Sequence, residues 1–548
     1  MIQACVMQVW NDKGAQMFTK VCTAAEAAEL VKDDAFLVCA GNMNNCLAEE
    51  ICDAIEKRFL EAGHPQNMTI MSASGVGDMG PVGGVFRGFE HFAHEGMIRR
   101  VIVGHNGSNH SIMKLQAENK VESYNFPQGV IEHLFKARAK GLDVELTKVG
   151  LGTFADPRLE GGKTNACTKE DLVHVVDVLG EEYLAYETPK IDVALIRGTT
   201  ADENGNLTCE DEAVLTNIQA IAMATKASGG IVLCQVKNLV RKGALPAKEV
   251  IVPGAFIDKI IVTTDPEKNH RMTMGEFLNP AYAGKYKYPV AALKPMPLDV
   301  HKTIARRAAM ELKMHVPINT GLGYPEGISK VAAEEGLTDD LILTVETGAF
   351  GGIPASRTSF GATTNAEAFV DSPTIFDLYD SGYLYATFVG LAECNSEGSV
   401  NVSRFVDKSG TERRPGAGGF INLTQGAKNV VFCGTMTAGG YKAEIRDGKV
   451  VILQEGAEKK FVKQINQVTF SGPHAMDIHQ NVLYVTDRCV FKLTPEGLEL
   501  VEVAPGIDID TQILPYMDFK PIIKDVKPMD PRIFQEGTLN LRAILENK

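Results

Sequence analysis

The hydrophobic pattern of this chain alternates between short continuous apolar runs and runs with a period near four residues. Residues 35–40 (Ala-Phe-Leu-Val-Cys-Ala) form a continuous run, and within residues 47–59 Leu, Ile, Ile and Phe recur at every fourth position. Continuous runs are typical of strands buried on both faces, and the four-residue repeat is typical of an amphipathic helix. Because a glycine turn at Gly41 separates the two, the segment predicts a strand followed by a helix.

The same alternation continues through the first half of the chain. Further strand patterns occur at residues 68–72, 100–103 and 191–196, with a glycine-rich loop at 75–88 and a helical pattern that opens after Pro127. Alternating strands and helices are typical of a parallel sheet covered by helices. We therefore predict an α/β fold.

The chain also resembles itself. Strand, glycine turn and helix at residues 36–59 match strand, glycine turn and helix at 316–335, and the segment 202–207 matches the segment 395–400, each after a strand. Two matches in the same order favour two halves with one ancestral fold, and chance strand-helix periodicity is the alternative. The predicted fold class is α/β, with two open α/β domains whose sheets are largely parallel.

The domain boundary is predicted from prolines. At 548 residues the chain is too long for one core, and four prolines between residues 279 and 299 interrupt any regular period. We predict a first domain at residues 1–285, a linker at 286–300, a second domain at 301–505 and an irregular C-terminal tail at 506–548 that wraps the surface.

Composition narrows the classes of partner. A formal net charge of -14, with no Lys/Arg-dense segment to offset it, argues against nucleic acid or an anionic membrane as a partner. The N-terminus has no basic residue ahead of its apolar stretch, and no run approaches the roughly 18 apolar residues that span a bilayer. We expect a cytoplasmic protein with no membrane segment.

The cysteines and histidines do not predict a metal site. The 11 cysteines are scattered without Cys-x-x-Cys spacing, which favours reduced buried thiols over disulfides or a zinc cluster. His91 and His94 are the one metal-like pair, but they lie three residues apart and no distant ligand stands out. We expect a structural pair and no metal.

Glu346 is the strongest candidate for catalysis. It follows the branched apolar run at 341–345 and precedes a glycine turn, so it is held at the end of a buried strand, partly desolvated and close to bare backbone amides. Those conditions suit a nucleophile. The alternative is a strand-end glutamate that pairs with an arginine or caps a helix.

Glycine turns in the same half could supply an oxyanion hole. Gly321-Leu322-Gly323 and the Gly416–Gly419 segment both lie within reach of Glu346, and one bare amide donor contributes roughly 3 to 4 kcal/mol to a transition state. A carboxylate facing such donors fits acyl transfer through a mixed anhydride. Nucleotide fingerprints are missing: there is no phosphate loop, and the turn at Gly41 fails Gly-x-Gly-x-x-Gly.

Together, the motifs resemble the family I coenzyme A transferases, specifically the fused, single-chain short-chain acyl-CoA transferases of the propionate or acetate kind. The resemblance covers about residues 24–507. The segments that carry it are His91–Gly96, Pro127–Gly129, Lys148–Phe154, Asp156–Gly162, Arg197–Asp202, Val345–Gly348 and Gly416–Phe420.

The resemblance implies a tandem fusion of α-like and β-like halves. It makes Glu346 the nucleophile of a ping-pong reaction through a glutamyl-CoA thioester, with coenzyme A as a substrate and no cofactor. A homo-oligomer, dimer or tetramer, is also implied. The further roles it implies are an oxyanion hole from the amides of Gly321, Leu322 and Gly323, contacts to CoA from Asn401, Gly416, Ala417, Gly418 and Gly419, and closure of the acyl pocket by Gln128.

The first half departs from the family pattern in segment 40–49, where a second glycine-rich turn ending in Pro-Glu is usual. Met43 and Asn44, with Asn45, either line the acyl pocket or only cap the helix that begins near Leu47. Two other functions stay open: an acyl-CoA hydrolase on this scaffold, or a non-catalytic acyl-CoA or sugar-phosphate binding protein.

Overall fold

The computed structural model describes residues 20–77, 86–290, 294–407 and 410–547. None of the helices in these ranges is long and apolar enough to cross a membrane. The helices are α1 (Ala24–Ala28), α2 (Glu49–Ala62), α3 (His110–Ala117), α4 (Gln128–Ala139), α5 (Ile218–Ala227), α6 (Pro266–Asn269), α7 (Val300–Ala309), α8 (Glu326–Glu334), α9 (Ser372–Asp380), α10 (Phe420–Gly426), α11 (Gly472–Asp477), α12 (Ile509–Gln512) and α13 (Leu541–Glu546).

The strands fall into two groups. Those of the first half are β1 (Phe36–Cys39), β2 (Met68–Ser72), β3 (Ile98–Val103), β4 (Glu122–Asn125), β5 (Val144–Thr147), β6 (Val173–Val178), β7 (Glu181–Glu187), β8 (Val193–Asp202), β9 (Leu207–Thr208), β10 (Ile231–Val240) and β11 (Lys259–Val262). Those of the second half are β12 (Pro317–Thr320), β13 (Ile342–Thr344), β14 (Ala349–Phe350), β15 (Ile353–Pro354), β16 (Thr363–Thr364), β17 (Ala368–Phe369), β18 (Ala386–Gly390), β19 (Glu393–Cys394), β20 (Val400–Asn401), β21 (Phe405–Val406), β22 (Glu412–Arg413), β23 (Asn429–Cys433), β24 (Thr437–Ala438), β25 (Lys442–Arg446), β26 (Lys449–Gln454), β27 (Glu458–Lys459), β28 (Asn481–Val485), β29 (Cys489–Thr494), β30 (Gly497–Val503) and β31 (Ile522–Pro528).

The sheet of the first half has the order β11-β10-β8-β1-β2-β3-β4, and these neighbours all pair in parallel. Its central strands are buried along nearly their whole length, as continuous apolar runs predict. Two apolar clusters cover its two faces. A separate antiparallel sheet, β5-β7-β6, is attached beside it.

The sheet of the second half has a parallel centre with antiparallel pairs on both sides of it, and its last strand, β31, pairs with β30 in parallel. Its order is β17-β14-β13-β12-β18-β23-β28-β29-β30-β31, in which β13-β12-β18-β23-β28 is the parallel part. Hairpin pairings extend it on both sides. The predicted fold class, two open and largely parallel α/β halves, is confirmed.

The predicted internal repeat is visible in strand order. In each half the first strand of the parallel core lies between the second strand and a later one: β1 lies between β2 and β8, and β12 lies between β13 and β18. The loops at 202–207 and 395–400 also match bond for bond. The backbone N–H of Asp202 donates to Asn206 O over 3.0 Å, and that of Asn395 donates to Ser399 O over 3.1 Å. We infer that both halves descend from one unit.

The C-terminal tail differs from its prediction. Instead of wrapping the surface irregularly, residues 506–547 contribute strand β31 to the second sheet, and Leu539 and Leu541 are fully buried in that core. The apolar residues of the tail complete the core, which proline-based reasoning does not reveal. Residues 291–293 of the predicted linker and residues 78–85 of the glycine-rich loop lie outside the described residues.

Candidate active site

Glu346 lies just beyond the C-terminal end of β13, in a tight turn. Gly348 N donates to Val345 O over 2.9 Å, and Val345 N donates to Ala349 O over 3.1 Å. Gly348 has φ +107°, and a Cβ there would lie 1.9 Å from Val370 O, so only glycine fits. The turn therefore fixes the Glu346 backbone rigidly.

The Glu346 side chain is half-buried, and burial raises its pKa above the ordinary value. Within the described part of the chain, no lysine, arginine or histidine forms an ion pair with it. The arginine-pair alternative is therefore wrong for the described residues. A partly desolvated carboxylate without a counter-ion is a candidate functional group, because perturbed pKa values cluster at functional sites.

A buried polar network lies directly beneath this carboxylate. The hydroxyl of Tyr379, on α9, donates to Thr344 Oγ1 over 3.1 Å, and Asn319 Nδ2 donates to Thr344 O over 3.1 Å. Burial raises the pKa of Tyr379, and the nearby Glu346 adds to that shift. The network holds the ends of β12 and β13 together under Glu346.

The turn predicted as oxyanion hole follows the neighbouring strand β12, but two of its three amides are already used. Gly321 N donates to Phe388 O over 2.8 Å, and Gly323 N donates to a Glu326 carboxylate oxygen over 3.0 Å. Among the described residues, only the Leu322 amide of this turn has no acceptor. For Gly321 and Gly323 the structure does not support the role.

The Gly416–Gly419 segment is docked onto the first half. Ala417 N donates to Asn125 Oδ1 over 3.0 Å, and Gly418 N donates to Gly104 O over 2.6 Å. A Cβ on Gly416 would lie 2.6 Å from Asn125 Nδ2, so glycine permits the close approach. The segment joins the two sheets at the edge where their strands end.

Gln128 lies at the same junction, as the resemblance implied. Its backbone N–H donates to Gly418 O over 2.9 Å, and its side-chain Oε1 is 3.8 Å from where a Cβ on Gly419 would be. Sequence reasoning missed its neighbour His105, whose pKa burial lowers to about 4. The signal for His105 was available, because it follows a strand-end glycine.

Asn401 is a structural residue. It is fully buried, its Nδ2 donates to Glu393 and to Arg404 O, and its Oδ1 accepts from Ser403 N and Arg404 N. With both ends of its amide occupied, it has no group left to bind CoA in this structure. The contact to CoA stays a prediction without support from this side chain, because a sequence does not reveal how a side chain is already satisfied.

The atypical turn of the first half reaches the segment at Phe360 and Gly361, which packs beside Thr347. Asn45 Nδ2 donates to Phe360 O over 2.9 Å. A Cβ on Gly361 would lie 2.7 Å from Asn45 Nδ2 and 3.1 Å from Thr347 Cγ2. The helix-capping alternative is wrong, since α2 begins after Ala48 with no side-chain cap.

A small cleft opens at this contact. Its volume is about 210 Å³, counting the part open to solvent, which is small beside the ~300–1,000 Å³ of drug-sized sites. Met43 and Arg357 both adopt positive φ, at +54° and +53°, and such strained backbone is common at functional sites. The residues that line it are Met43, Asn44, Asn45, Met274, Arg357, Thr358 and Phe360.

His91 sits between two carboxylates. Its Nε2 is 2.9 Å from Glu49 Oε1, and its Nδ1 is 2.5 Å from Glu56 Oε2. Burial opposes a charge, but the bonds to Glu49 and Glu56 outweigh it and raise the pKa of His91 to about 10. Both ring nitrogens are thus protonated donors, which supports the structural pair over a metal ligand. Asp53, Glu56 and His91 are close enough to hold an ion only if His91 loses a proton.

The sequence and fold comparisons agree with each other. The profile of the family described as coenzyme A transferase matches residues 21–263. The chain is 43% identical to a caffeate CoA-transferase of Acetobacterium woodii, over 96% of this chain and 99% of that protein. It is 39% identical to the acetate CoA-transferase YdiF of Escherichia coli (strain K12), over 95% of this chain and 96% of that protein.

Solved structures give the same result. The apoenzyme of the acyl-CoA transferase YdiF from Escherichia coli O157:H7 superposes with a TM-score of 0.89 at 37% identity, over 96% of this chain and 98% of that chain. A thioester complex of that enzyme with CoA superposes with a TM-score of 0.88 at 37% identity, over 96% and 99%.

Proposed function

The chain belongs to the coenzyme A transferase family and is an enzyme of that class; we propose that it moves CoA between a short-chain acyl-CoA and a free carboxylic acid through a thioester on Glu346. The observation that supports this most directly is the half-buried Glu346 carboxylate, held in a rigid turn at a strand end without a cationic partner among the described residues. A related enzyme crystallises as a thioester complex with CoA.

The proposed reaction balances without any further group. A Glu346 oxygen attacks the thioester carbonyl of the donor, the C–S bond breaks, and CoA leaves as a thiolate from an acyl-glutamyl anhydride. The thiolate attacks the glutamyl carbonyl and expels the donor acid as a carboxylate, which leaves glutamyl-CoA. An acceptor carboxylate then reverses both steps. Since no electron or net proton is exchanged, the scheme needs no redox cofactor.

Binding energy from the remote parts of CoA can assist this chemistry. Interactions that strengthen only in the transition state raise the rate, so a truncated thiol donor should lose turnover as well as affinity. We propose that Leu322 N supplies one oxyanion donor and that Gln128 and the Gly416–Gly419 segment border the thioester. The buried position of Gln128 and its backbone hydrogen bond to Gly418 support the second assignment, and the Leu322 amide, which has no acceptor among the described residues, supports the first.

The acyl group would occupy the cleft between the two halves. Met43, Met274 and Phe360 supply apolar walls, and the amide of Asn45 sits beside Thr347, next to the nucleophile. The relatives named for acetate and for caffeate bracket the range of acids to try.

Hydrolysis is the second candidate, since water could replace the acceptor acid. The observation that favours hydrolysis is that Glu346 is only half-buried, so water can reach it. The two functions differ in one measurement: a free acid accelerates CoA exchange by a transferase and leaves the rate of a hydrolase unchanged.

We also propose that the protein acts in the cytoplasm and that it forms a homo-oligomer, a dimer or a tetramer. Light scattering would test the oligomeric state.

Intact-mass measurement tests the proposal. Wild-type protein incubated with acetyl-CoA or propionyl-CoA, without acceptor, should gain the mass of CoA less water and lose it on addition of a free acid. Glu346→Gln has nearly the same shape and should show no adduct when freshly prepared. An adduct on the variant, or none on wild type with a series of acyl-CoA donors up to caffeoyl-CoA, would contradict Glu346 as nucleophile.

A further inference from the structure

The second half presents a row of bare strand ends beside Glu346. Strand β12 is followed by Gly321, β18 ends at Gly390, and β23 is followed by Gly434. A Cβ on Gly390 would meet nothing within 4 Å, and the nearest atom to one on Gly321 is Phe388 O at 3.3 Å. The edge that starts at Glu346 therefore has no side chain at these three positions, and we call it the glycine groove.

Lys460 lies at the far end of this groove. Its Nζ donates to Leu391 O over 3.1 Å and lies 3.2 Å from where a Cβ on Gly434 would be. Both positions come just after the C-terminal ends of β18 and β23. The ammonium thus lies on the same edge as Glu346, two to three strands away.

The Lys460 ammonium has no ion-pair partner among the described residues. Asp487 is the acid whose charge acts on it, but the Asp487 carboxylate accepts from Met436 N and Tyr441 and lies against Arg488. Burial lowers the pKa of Lys460 to about 8. A lysine ammonium has three donors, and in the part of the chain that the structure describes only one of them has a protein acceptor. A desolvated cation with spare donors is placed to receive an anion.

The distance fits a particular anion. Two to three strand spacings separate Lys460 from Glu346, or about 10–14 Å. The pantetheine arm of CoA has about thirteen bonds between sulfur and phosphorus, and at the ~1.2 Å per bond of an extended backbone it spans ~15 Å. When the sulfur is at Glu346, the diphosphate can reach Lys460.

We propose that Lys460 is a CoA-binding residue, which pairs with the diphosphate of CoA while the pantetheine arm lies along the glycine groove. This inference rests on the proposed function, since it takes the sulfur to be at Glu346. It adds a binding residue that no sequence motif indicated.

Titration calorimetry tests the proposal without any catalysis. CoA and pantetheine are titrated into wild type, Lys460→Met, Lys460→Arg and Lys459→Met. Lys459 is the matched control, because it precedes Lys460 in the chain and its exposed ammonium pairs with Asp518. We expect Lys460→Met to weaken the binding of CoA about 10- to 100-fold and the binding of pantetheine less than about twofold. The loss of CoA affinity corresponds to one charge-assisted contact of ~1.5–3 kcal/mol. Lys460→Arg should retain part of the affinity.

A second readout is specific to the ammonium. Pairing with diphosphate should raise the Lys460 pKa, so wild type should take up a fraction of a proton on binding CoA at pH 8, seen as a dependence of the heat on buffer ionisation. Lys460→Met should abolish this uptake and Lys459→Met should preserve it.

Three results would overturn the assignment: unchanged CoA affinity in Lys460→Met, equal weakening of CoA and pantetheine in a variant with a normal Tm, or unchanged proton uptake. Because the assay measures binding, it reports on Lys460 even if no adduct forms on Glu346. Conversely, an adduct on Glu346 with normal CoA affinity in Lys460→Met would retain the proposed function and reject this inference.

Discussion

The two halves share a strand order but differ at one equivalent strand end. In the first half, the register of β1 with β2 (Val38 opposite Met71) places Ser74 opposite Gly41 when it is continued. In the second half, the register of β12 with β13 (Asn319 opposite Thr344) places Glu346 opposite Gly321. The repeated fold supplies the same edge twice, and only one copy carries a carboxylate there.

The difference shows how a duplicated fold divides its work. The first half contributes side chains and backbone from its own strand ends, such as Asn45 and Asn125, to contacts with the loops of the second half. The second half contributes the carboxylate. The site is therefore built at the junction of two similar edges, as parallel α/β sheets favour.

The largest expected effect comes from removing the carboxylate that distinguishes the halves. Glu346→Ala should lower kcat/KM for CoA transfer about 10⁴-fold or more, as loss of a nucleophile usually does. Glu346→Asp should also fail by ~10²-fold or more, because the carboxylate retracts by about 1 Å. The control at the equivalent position, Ser74→Ala, should stay within about threefold. If the activity of Glu346→Ala stayed within about tenfold of wild type, the carboxylate would not be what distinguishes the two halves functionally.

A smaller loss is expected where the halves touch beside the nucleophile. Gly361→Ala introduces a Cβ 2.7 Å from Asn45 Nδ2 and 3.1 Å from Thr347 Cγ2, at φ +94°. We expect kcat to fall about 10- to 100-fold from displacement of the Glu346 turn. Gly382→Ala is the matched control, with φ +76° and no atom within 4 Å. Gly382→Ala should have the same backbone strain but keep the wild-type kcat. Equal losses of kcat in both variants would refute the role of the contact at Gly361.

The third prediction separates structure from binding at Asn401. Asn401→Ala leaves the half-buried Glu393 carboxylate and Arg404 carbonyl without their partner, so we expect it to destabilise the protein by about 1–3 kcal/mol. The KM for acyl-CoA should change less than about twofold. Denaturant unfolding and steady-state kinetics check this, and a raised KM with unchanged stability would restore Asn401 as a ligand residue.

The smallest expected effect concerns pH. Because burial raises the pKa of Glu346, its desolvated carboxylate destabilises the fold above that pKa, and protonation relieves this as pH falls. Glu346→Gln should therefore stabilise the protein at pH 7, by about 0.5–2 kcal/mol as for other functional-site replacements, and by less near pH 4. The acid limb of kcat/KM in wild type should lie above pH 4.5, the ordinary value for a glutamate. Stabilisation that is equal at both pH values would contradict this assignment.

Local sequence patterns predicted most of the elements around the site. The strand at 68–72 is found with the predicted bounds, helix α8 begins at Glu326 as predicted, and the strand before Glu346 shortens only to Ile342–Thr344. These features depend on periodicity and on glycine or proline within a few residues, which are properties of the local chain.

The outcomes that sequence could not reach depend on contacts between distant residues. Three such features are the hydrogen bonds of the Gly321 and Gly323 amides, the hydrogen bonds of the Asn401 side chain and the burial of the tail. Each depends on partners far along the chain or on exact bond geometry.

What the sequence determined by itself is the repeated α/β plan, the family and the position of Glu346 at a strand end, because each follows from local periodicity and turn chemistry. Only the tertiary structure decided which amides remain free, that the turn at Met43–Asn45 reaches the loop beside Glu346, and that Lys460 lies uncompensated on the same edge. The physical reason is that hydrogen bonding and desolvation depend on which groups meet in space, and a linear pattern does not contain those distances.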